Sequence, residues 1–398
     1  MPTSRPLFIR LSVMMFMNYF TWGAFWVTMN TYFIQTLEFS GQQAGWMLGT
    51  QAIAAMISPM LVGVIADRYF SAQKVLIACH AVAGTSMLLI SCLSGFFPIY
   101  TCMVVFFMAT VPCVGLTTTI TFRHVSNPGR DFPRIRLWGT FSWVVAGVFL
   151  SAMKLEAHQA QFWMAGGMSF LLCVFALTLP DTPPESEPVR LRFGDLLGID
   201  ALRLFKDKQF AMIMLIMTLL CIPRVFYHGF ANVNFNDVGW ANAAGKMSAG
   251  QLLELFFLLI FPWFFKRFGV KQSVIFAILA WGIRYVALAF GDPGANQWLW
   301  WFSILIHGFC FVFYFLSLQI YVDRKAGPAN RNAAQGLVTL ITMGLGSLVG
   351  SFIAGGVVDH FTVNDAFNWQ AIWLFPAVFA AGLAVFTMVF WNPVRVRE

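Results

Sequence analysis

Apolar residues run in long stretches from one end of the chain to the other, broken by short polar segments that are mostly basic. About 20 apolar residues suffice to cross a bilayer as a helix, whereas a membrane strand needs only about 10 and must alternate. The pattern therefore predicts an all-α polytopic membrane protein with twelve transmembrane helices, at 7–35, 42–66, 74–95, 98–122, 134–154, 160–180, 209–235, 247–265, 272–290, 297–322, 332–358 and 369–391. The one long hydrophilic connection, 181–208, opens with Asp181-Thr182-Pro183-Pro184-Glu185-Ser186-Glu187-Pro188, which reads as linker. It predicts a six-helix N-terminal bundle (1–180), a cytoplasmic linker (181–208) and a six-helix C-terminal bundle (209–398).

Composition narrows the class. The chain is 59% hydrophobic and 11% charged, with a mean hydropathy of +0.72, which leaves almost no room for a soluble domain. No nucleotide-driven pump fits, and no phosphate-cradling loop, His-Glu-x-x-His helix or Gly-x-Ser-x-Gly elbow occurs. The expectation is a protein without enzymatic activity, cofactor or metal, whose transport, if active, draws on an ion gradient. The net charge of +8 implies cytoplasmic loops rather than nucleic acid. With the N-terminus inside, nearly every Lys and Arg from Arg5 to Arg397 falls on the inner side, and the outer loops hold only Lys154 and Lys246. Both termini are thus expected in the cytoplasm. The seven cysteines all lie in apolar runs without a Cys-x-x-Cys pair, which argues against disulfides and metal sites. The first apolar run is too long for a cleavable signal and continues into a full span.

Charged groups at bilayer depth cost at least about 2.5–3.5 kcal/mol, so each intramembrane one is a candidate for function. Glu254 is the one carboxylate deep in a predicted span, and Gln251, three residues before it, shares its helix face. Glu254 can carry a proton and Gln251 can read a polar ligand. Arg284 on the ninth predicted helix lies at similar depth, so a buried Glu254–Arg284 pair that merely holds two helices together is the competing reading. Arg136 is either a snorkelling residue at a helix end or a cavity-facing donor. Thr140 is one turn further in on the same face, and Trp143 another turn on, a set suited to a polar ring. On the seventh predicted helix Tyr227, His228 and Asn232 are cavity candidates beside Pro223 and Gly229, and Arg224 is hard to place. His228 divides evenly between ligand contact and an interhelical hydrogen bond. His80 and His307 are also intramembrane, and His307 begins an aromatic run in which Phe311 and Tyr314 are site candidates. Asn18, Trp22 and Gln51 are lesser ones.

The halves echo each other weakly. Lys74 and Lys271, and Arg134 and Arg331, recur at an offset of 197. Gly139 and Gly336 repeat at the same offset, while Arg136 and Thr140 face Ala333 and Leu337 and have no echo. Gly63-Val64-Ile65-Ala66-Asp67-Arg68-Tyr69-Phe70-Ser71-Ala72-Gln73-Lys74 resembles the Gly-x-x-x-Asp-Arg…Lys loop of major facilitators, which implies a gating role for Asp67 and Arg68 at the cytoplasmic end of the second helix. Six further stretches carry a closer likeness: Thr21-Trp22-Gly23, Ser71-Ala72-Gln73-Lys74-Val75, Asp131-Phe132-Pro133 with Ile135-Arg136 and Trp138-Gly139-Thr140, Leu197-Gly198-Ile199-Asp200-Ala201, Arg267-Phe268-Gly269-Val270-Lys271, and Ala334-Gln335-Gly336. With these the chain resembles the nucleoside:H+ symporter family of the major facilitator superfamily almost end to end, and most of all its enterobacterial members.

The resemblance implies a major facilitator (6+6) fold working by alternating access. It implies import of a nucleoside or similar polar ring compound with a proton, across a bacterial inner membrane, by a monomer whose partners are substrate, protons and lipid. It implies substrate-contacting roles for Arg136, Thr140, Gln251 and Glu254, with Trp143 where the family has an aromatic. Two departures stand out. Val225 and His228 stand where nucleoside-transporting members have amides, and Val312 stands where they have an acid. The proton-carrying role then falls to Glu254, with His228 or His307 as helpers. The rival readings are a transporter of another polar solute, such as a sugar or glycoside, and a sensor that binds without transport.

Overall fold

The structure, a computed structural model, describes residues 3–184 and 202–392, apart from the side chains of Val64, Asp67, Pro328, Ala329, Asn330, Asn332 and Ala333. Most of the predicted linker, the Leu197–Ala201 stretch, the Asp67 side chain and the predicted C-terminal charges lie outside the described residues.

The described chain is helical apart from short connections and one small hairpin, Thr362–Val363 with Ala366–Phe367. In order the helices are α1 (Arg5–Gly23), α2 (Met29–Gln35), α3 (Gly41–Arg68), α4 (Ala72–Ile90), α5 (Phe96–Thr110), α6 (Cys113–His124), α7 (Pro128–Ala152), α8 (Ala160–Ala176), α9 (Lys208–Asp237), α10 (Ala243–Phe290), α11 (Gln297–Leu305), α12 (His307–Thr339), α13 (Ser347–His360) and α14 (Trp369–Phe390). A 3-10 turn, Arg203–Lys206, precedes α9, and a π-helical segment, Leu340–Gly346, joins α12 to α13.

Local chemistry sets several ends. Asn127 caps α7 by accepting from the Arg130 N–H at 3.1 Å, with Pro128 at the first helical position, where its missing N–H costs nothing. Asn368 caps α14 in the same way. Asp207 caps α9 through the Gln209 and Phe210 N–H groups at 2.9 and 3.0 Å, and its other oxygen meets Lys325 Nζ at 2.5 Å. The Lys325 hydrogen bond and then the Phe210 N–H hold this carboxyl below the usual aspartate range.

Counted by length and hydropathy alone, the described helices give nine membrane spans rather than twelve. The difference has local causes. Helix α10 runs 48 residues but breaks at Gly269, whose φ of 72° only glycine adopts freely. The first apolar run is interrupted by a turn between α1 and α2, and α8 has only 17 residues.

The described residues cluster in two units: those of 3–39, 50–184 and 241–248 form one, and those of 40–49, 202–240 and 249–392 the other. In the first, α1 packs along α7 and α8, and α4 along α5 and α8. Its core is aromatic: Phe25 meets Phe106 edge-on at 5.2 Å, and Phe33 stacks on Phe162 at 5.8 Å. In the second, α9 packs along α13, α14 and the π-helical segment. Trp300 there lies 5.1 Å from both Phe235 and Trp240.

Candidate functional site

In the second unit two glycines bring α10 and α12 into backbone contact. A methyl on Gly308 would lie 2.5 Å from Glu254 Cα and 2.8 Å from the Phe257 ring. One on Gly250 would lie 2.5 Å from the Ile304 carbonyl oxygen and 3.2 Å from His307 Cβ. The turn carrying Gln251 and Glu254 is thereby pressed against His307. Both side chains are half-buried, the Gln251 Oε1 is buried without a hydrogen-bond partner, and Glu254 is already engaged in an interaction.

His307 is the centre of a cluster. Arg284, 0% exposed, places Nη1 3.0 Å from His307 Nδ1. Its guanidinium lies 3.2 Å over the Tyr227 ring and 5.1 Å from that of Trp281. The Tyr227 and His307 rings stack at 5.6 Å, His307 and Phe311 at 6.0 Å, and His228 meets His307 edge-on at 5.8 Å. Partner chemistry fixes both imidazoles. Guanidinium nitrogen only donates, so His307 Nδ1 accepts and its Nε2 carries the proton. A carbonyl only accepts, so His228 Nδ1, 3.0 Å from the Arg224 carbonyl, carries the proton, and the neutral ring has Nε2 as its acceptor. Arg284 Nε and Nη2 remain buried and unpartnered.

The π-helical segment shapes the far side. There Thr342 O accepts from Ser347 Oγ at 2.6 Å and Cys221 Sγ at 3.2 Å, and Ser347 Oγ in turn accepts from Arg224 Nη2 at 2.6 Å. Insertions of this kind re-aim helix faces and concentrate at functional places. Arg224 Nε and the Tyr314 hydroxyl are also buried and unpartnered.

In the first unit Arg136 lies over the Tyr19 ring at 4.0 Å. Gly139 makes the room: a methyl there would come within 2.7 Å of the ring and 2.8 Å of Arg136 Nη1. Thr140 and Trp143 follow on the same helix, both half-buried, and Trp143 Cα marks a close crossing of α1 at Gly23. His80 Nε2 meets Asn18 Oδ1 at 3.0 Å inside the bundle.

The predicted site residues thus fall into two groups. His228, His307 and Phe311 cluster with Arg284 in the second unit, the backbone turn carrying Gln251 and Glu254 packs against Gly308 and His307, and Tyr314 lies a turn further along α12. Arg136, Thr140 and Trp143 share α7 in the first. Arg284 is bound up with His307 and Tyr227, where the faces of three helices converge. Arg68 is exposed and engaged. Tyr19 and Trp281 were not foreseen. Their signals are small: a glycine one turn after Arg136, and an aromatic one turn before Arg284.

Long apolar helices with arginines, histidines and a carboxylate inside them are what a membrane transporter of polar solutes requires. Comparison with known proteins bears this out. The sequence pattern of the nucleoside H+ symporter family matches residues 6–395, and the chain belongs to that family. It is 38% identical to YegT of Escherichia coli (strain K12) over 402 residues, covering 96% of this chain and 93% of that one. It is 34% identical to the xanthosine permease of the same organism over 392 residues, covering 95% and 94%. The crystal structure of the nucleoside transporter NupG superposes with a TM-score of 0.91 at 29% identity, covering 98% of this chain and 100% of that one. A bacterial homologue of the human lysosomal transporter Spinster, inward-facing and unoccupied, shares the fold at 15% identity with a TM-score of 0.76.

Proposed function

We propose that the protein imports a nucleoside together with a proton across the bacterial inner membrane, with both termini in the cytoplasm. The observation that carries this reading is the contact at Gly250 and Gly308, which sets the Gln251–Glu254 turn against the His307–Arg284 cluster. A carboxylate there can exchange a proton while amide, imidazole and aromatic groups hold a polar ring. Arg136 and Thr140 are the corresponding groups on α7: a guanidinium and a hydroxyl that suit sugar hydroxyls or base carbonyls. Glu254 is the proton carrier, because Val312 stands where other members of the family have an acid. Families built on this fold commonly move solutes by rocking two repeats about a midplane site, and this chain is expected to do the same. Membership in a nucleoside H+ symporter family and the likeness to the xanthosine permease support the substrate class. The test is counterflow in proteoliposomes. Unlabelled nucleoside inside should drive accumulation of labelled nucleoside, and excess maltose or sucrose outside should leave it unchanged. Accumulation that sugars block and nucleosides do not would replace this reading with sugar transport.

A further inference from the structure

Among the described residues of the second unit, the buried polar atoms without a partner are mostly donors. Arg284 Nε and Nη2 are buried, carry only N–H bonds and have no partner. The side chain is fully buried, held face-on by Tyr227 and end-on by His307, so its direction is fixed. His307 adds a third donor through Nε2, because its Nδ1 is occupied by Arg284. Acceptors are fewer: His228 Nε2 in its neutral form, and the Gln251 amide oxygen, which is also buried and unpartnered. Tyr227, His307 and Phe311 stack on one another in a column beside these polar atoms.

We infer that this cluster selects nucleosides whose base is an imide, two carbonyls flanking an N–H as in uracil, over bases with an exocyclic amine in that place, as in cytosine. The inference rests on the nucleoside reading above. An imide edge presents acceptor, donor, acceptor. Its carbonyl oxygens take up the Arg284 and His307 N–H groups, and its N–H finds the His228 or Gln251 acceptor. An amino base turns a donor toward donors and leaves a buried guanidinium N–H unpaired, which costs more than an unmade neutral bond. Sites built to bond a specific ligand group reject analogues that lack it far more strongly than apolar pockets reject a missing methylene.

Uridine and cytidine are the matched probes, and 3-methyluridine caps the imide N–H. Purified full-length protein is titrated with each, and the rise in melting temperature gives an apparent affinity, since a ligand of the folded state stabilises it by mass action. Uridine should bind at least about tenfold more tightly than either of the others. In Arg284→Met the uridine-to-cytidine ratio should fall toward one, an effect that a purely structural arginine would not produce. Equal affinities in the wild type, tighter cytidine, or a ratio unchanged in the variant would each overturn the inference while leaving nucleoside transport standing. If neither these nucleosides nor adenosine shifts the melting temperature, the nucleoside reading fails and takes the inference with it. Should the variant not fold, the wild-type comparison with 3-methyluridine decides alone.

Discussion

Replacing Gly308 with Ala tests the contact on which the site depends. The added methyl would meet Glu254 Cα at 2.5 Å, Glu254 N at 2.9 Å and the Phe257 ring at 2.8 Å. The ring can turn, but the two backbone atoms belong to the middle of a helix and move only if α10 moves. Overpacking of this kind costs about 1–3 kcal/mol. Against it stands the gain of about 0.5–1 kcal/mol that alanine brings to a helix interior over glycine. Subtracting the gain from the cost leaves a destabilisation of about 0–2.5 kcal/mol, centred near 1 kcal/mol, with weaker nucleoside binding because Gln251 and Glu254 are pushed away from His307. Gly382 on α14 is the control, since a methyl there meets nothing within 4 Å. Gly382→Ala should raise stability slightly. Thermal unfolding of both purified variants, followed by nucleoside titration, is the assay. If Gly308→Ala matches Gly382→Ala in melting temperature and binds nucleoside as the wild type does, the helices do not touch there and the site is wrongly assembled.

Other consequences are simpler to read. Tyr19→Phe keeps the ring beneath Arg136 and should bind nucleoside as the wild type does; Tyr19→Leu removes a cation–π contact of about 0.5–2 kcal/mol and should weaken binding several-fold by the same titration. Asp207→Asn keeps the cap of α9, since asparagine caps as well as aspartate, and should cost about 0.2–1 kcal/mol through the lost Lys325 contact. Because the folded state holds Asp207 below its usual value, that contribution is present above the unfolded aspartate pKa and disappears as pH falls through the lowered one. The gap in melting temperature between wild type and Asp207→Asn should therefore be full near neutrality and close in strong acid; a gap that persists there would contradict the assignment. Asp359→Ala deprives the Gly41 and Gln42 N–H groups of their acceptor, at 2.5 and 3.0 Å, and should lower the melting temperature by the equivalent of about 1 kcal/mol, with Asn restoring part of it.

Much of the fold was legible because span-length apolar runs and basic loops are one-dimensional signals. The break in α10 was legible too: Arg267-Phe268-Gly269-Val270-Lys271 punctuates what is otherwise continuous helix. The interior polar residues were found on energetic grounds, since each is costly in lipid. Their partners were not. Depth along a helix can be counted from a sequence, but rotation about its axis relative to two neighbours cannot. Depth alone offered Glu254 as a partner for Arg284; it gave no hint of Tyr227 and His307, which packing brings to it. Tyr19 escaped for the same reason: nothing in its neighbourhood marks it as the floor beneath Arg136 except the glycine that makes room for both. The π-helical segment carries no composition signal, and its effect on Ser347 and Arg224 appears only once helices are packed.

In the proposed mechanism Glu254 couples proton movement to nucleoside entry. The direct measurement is nucleoside uptake into proteoliposomes with an imposed gradient, acidic outside, for wild type and Glu254→Gln. The wild type should accumulate nucleoside above the external concentration and lose that accumulation when a protonophore collapses the gradient. Glu254→Gln should bind nucleoside and equilibrate it, yet accumulate none whatever the gradient. Gradient-driven accumulation by Glu254→Gln equal to that of the wild type would contradict the account.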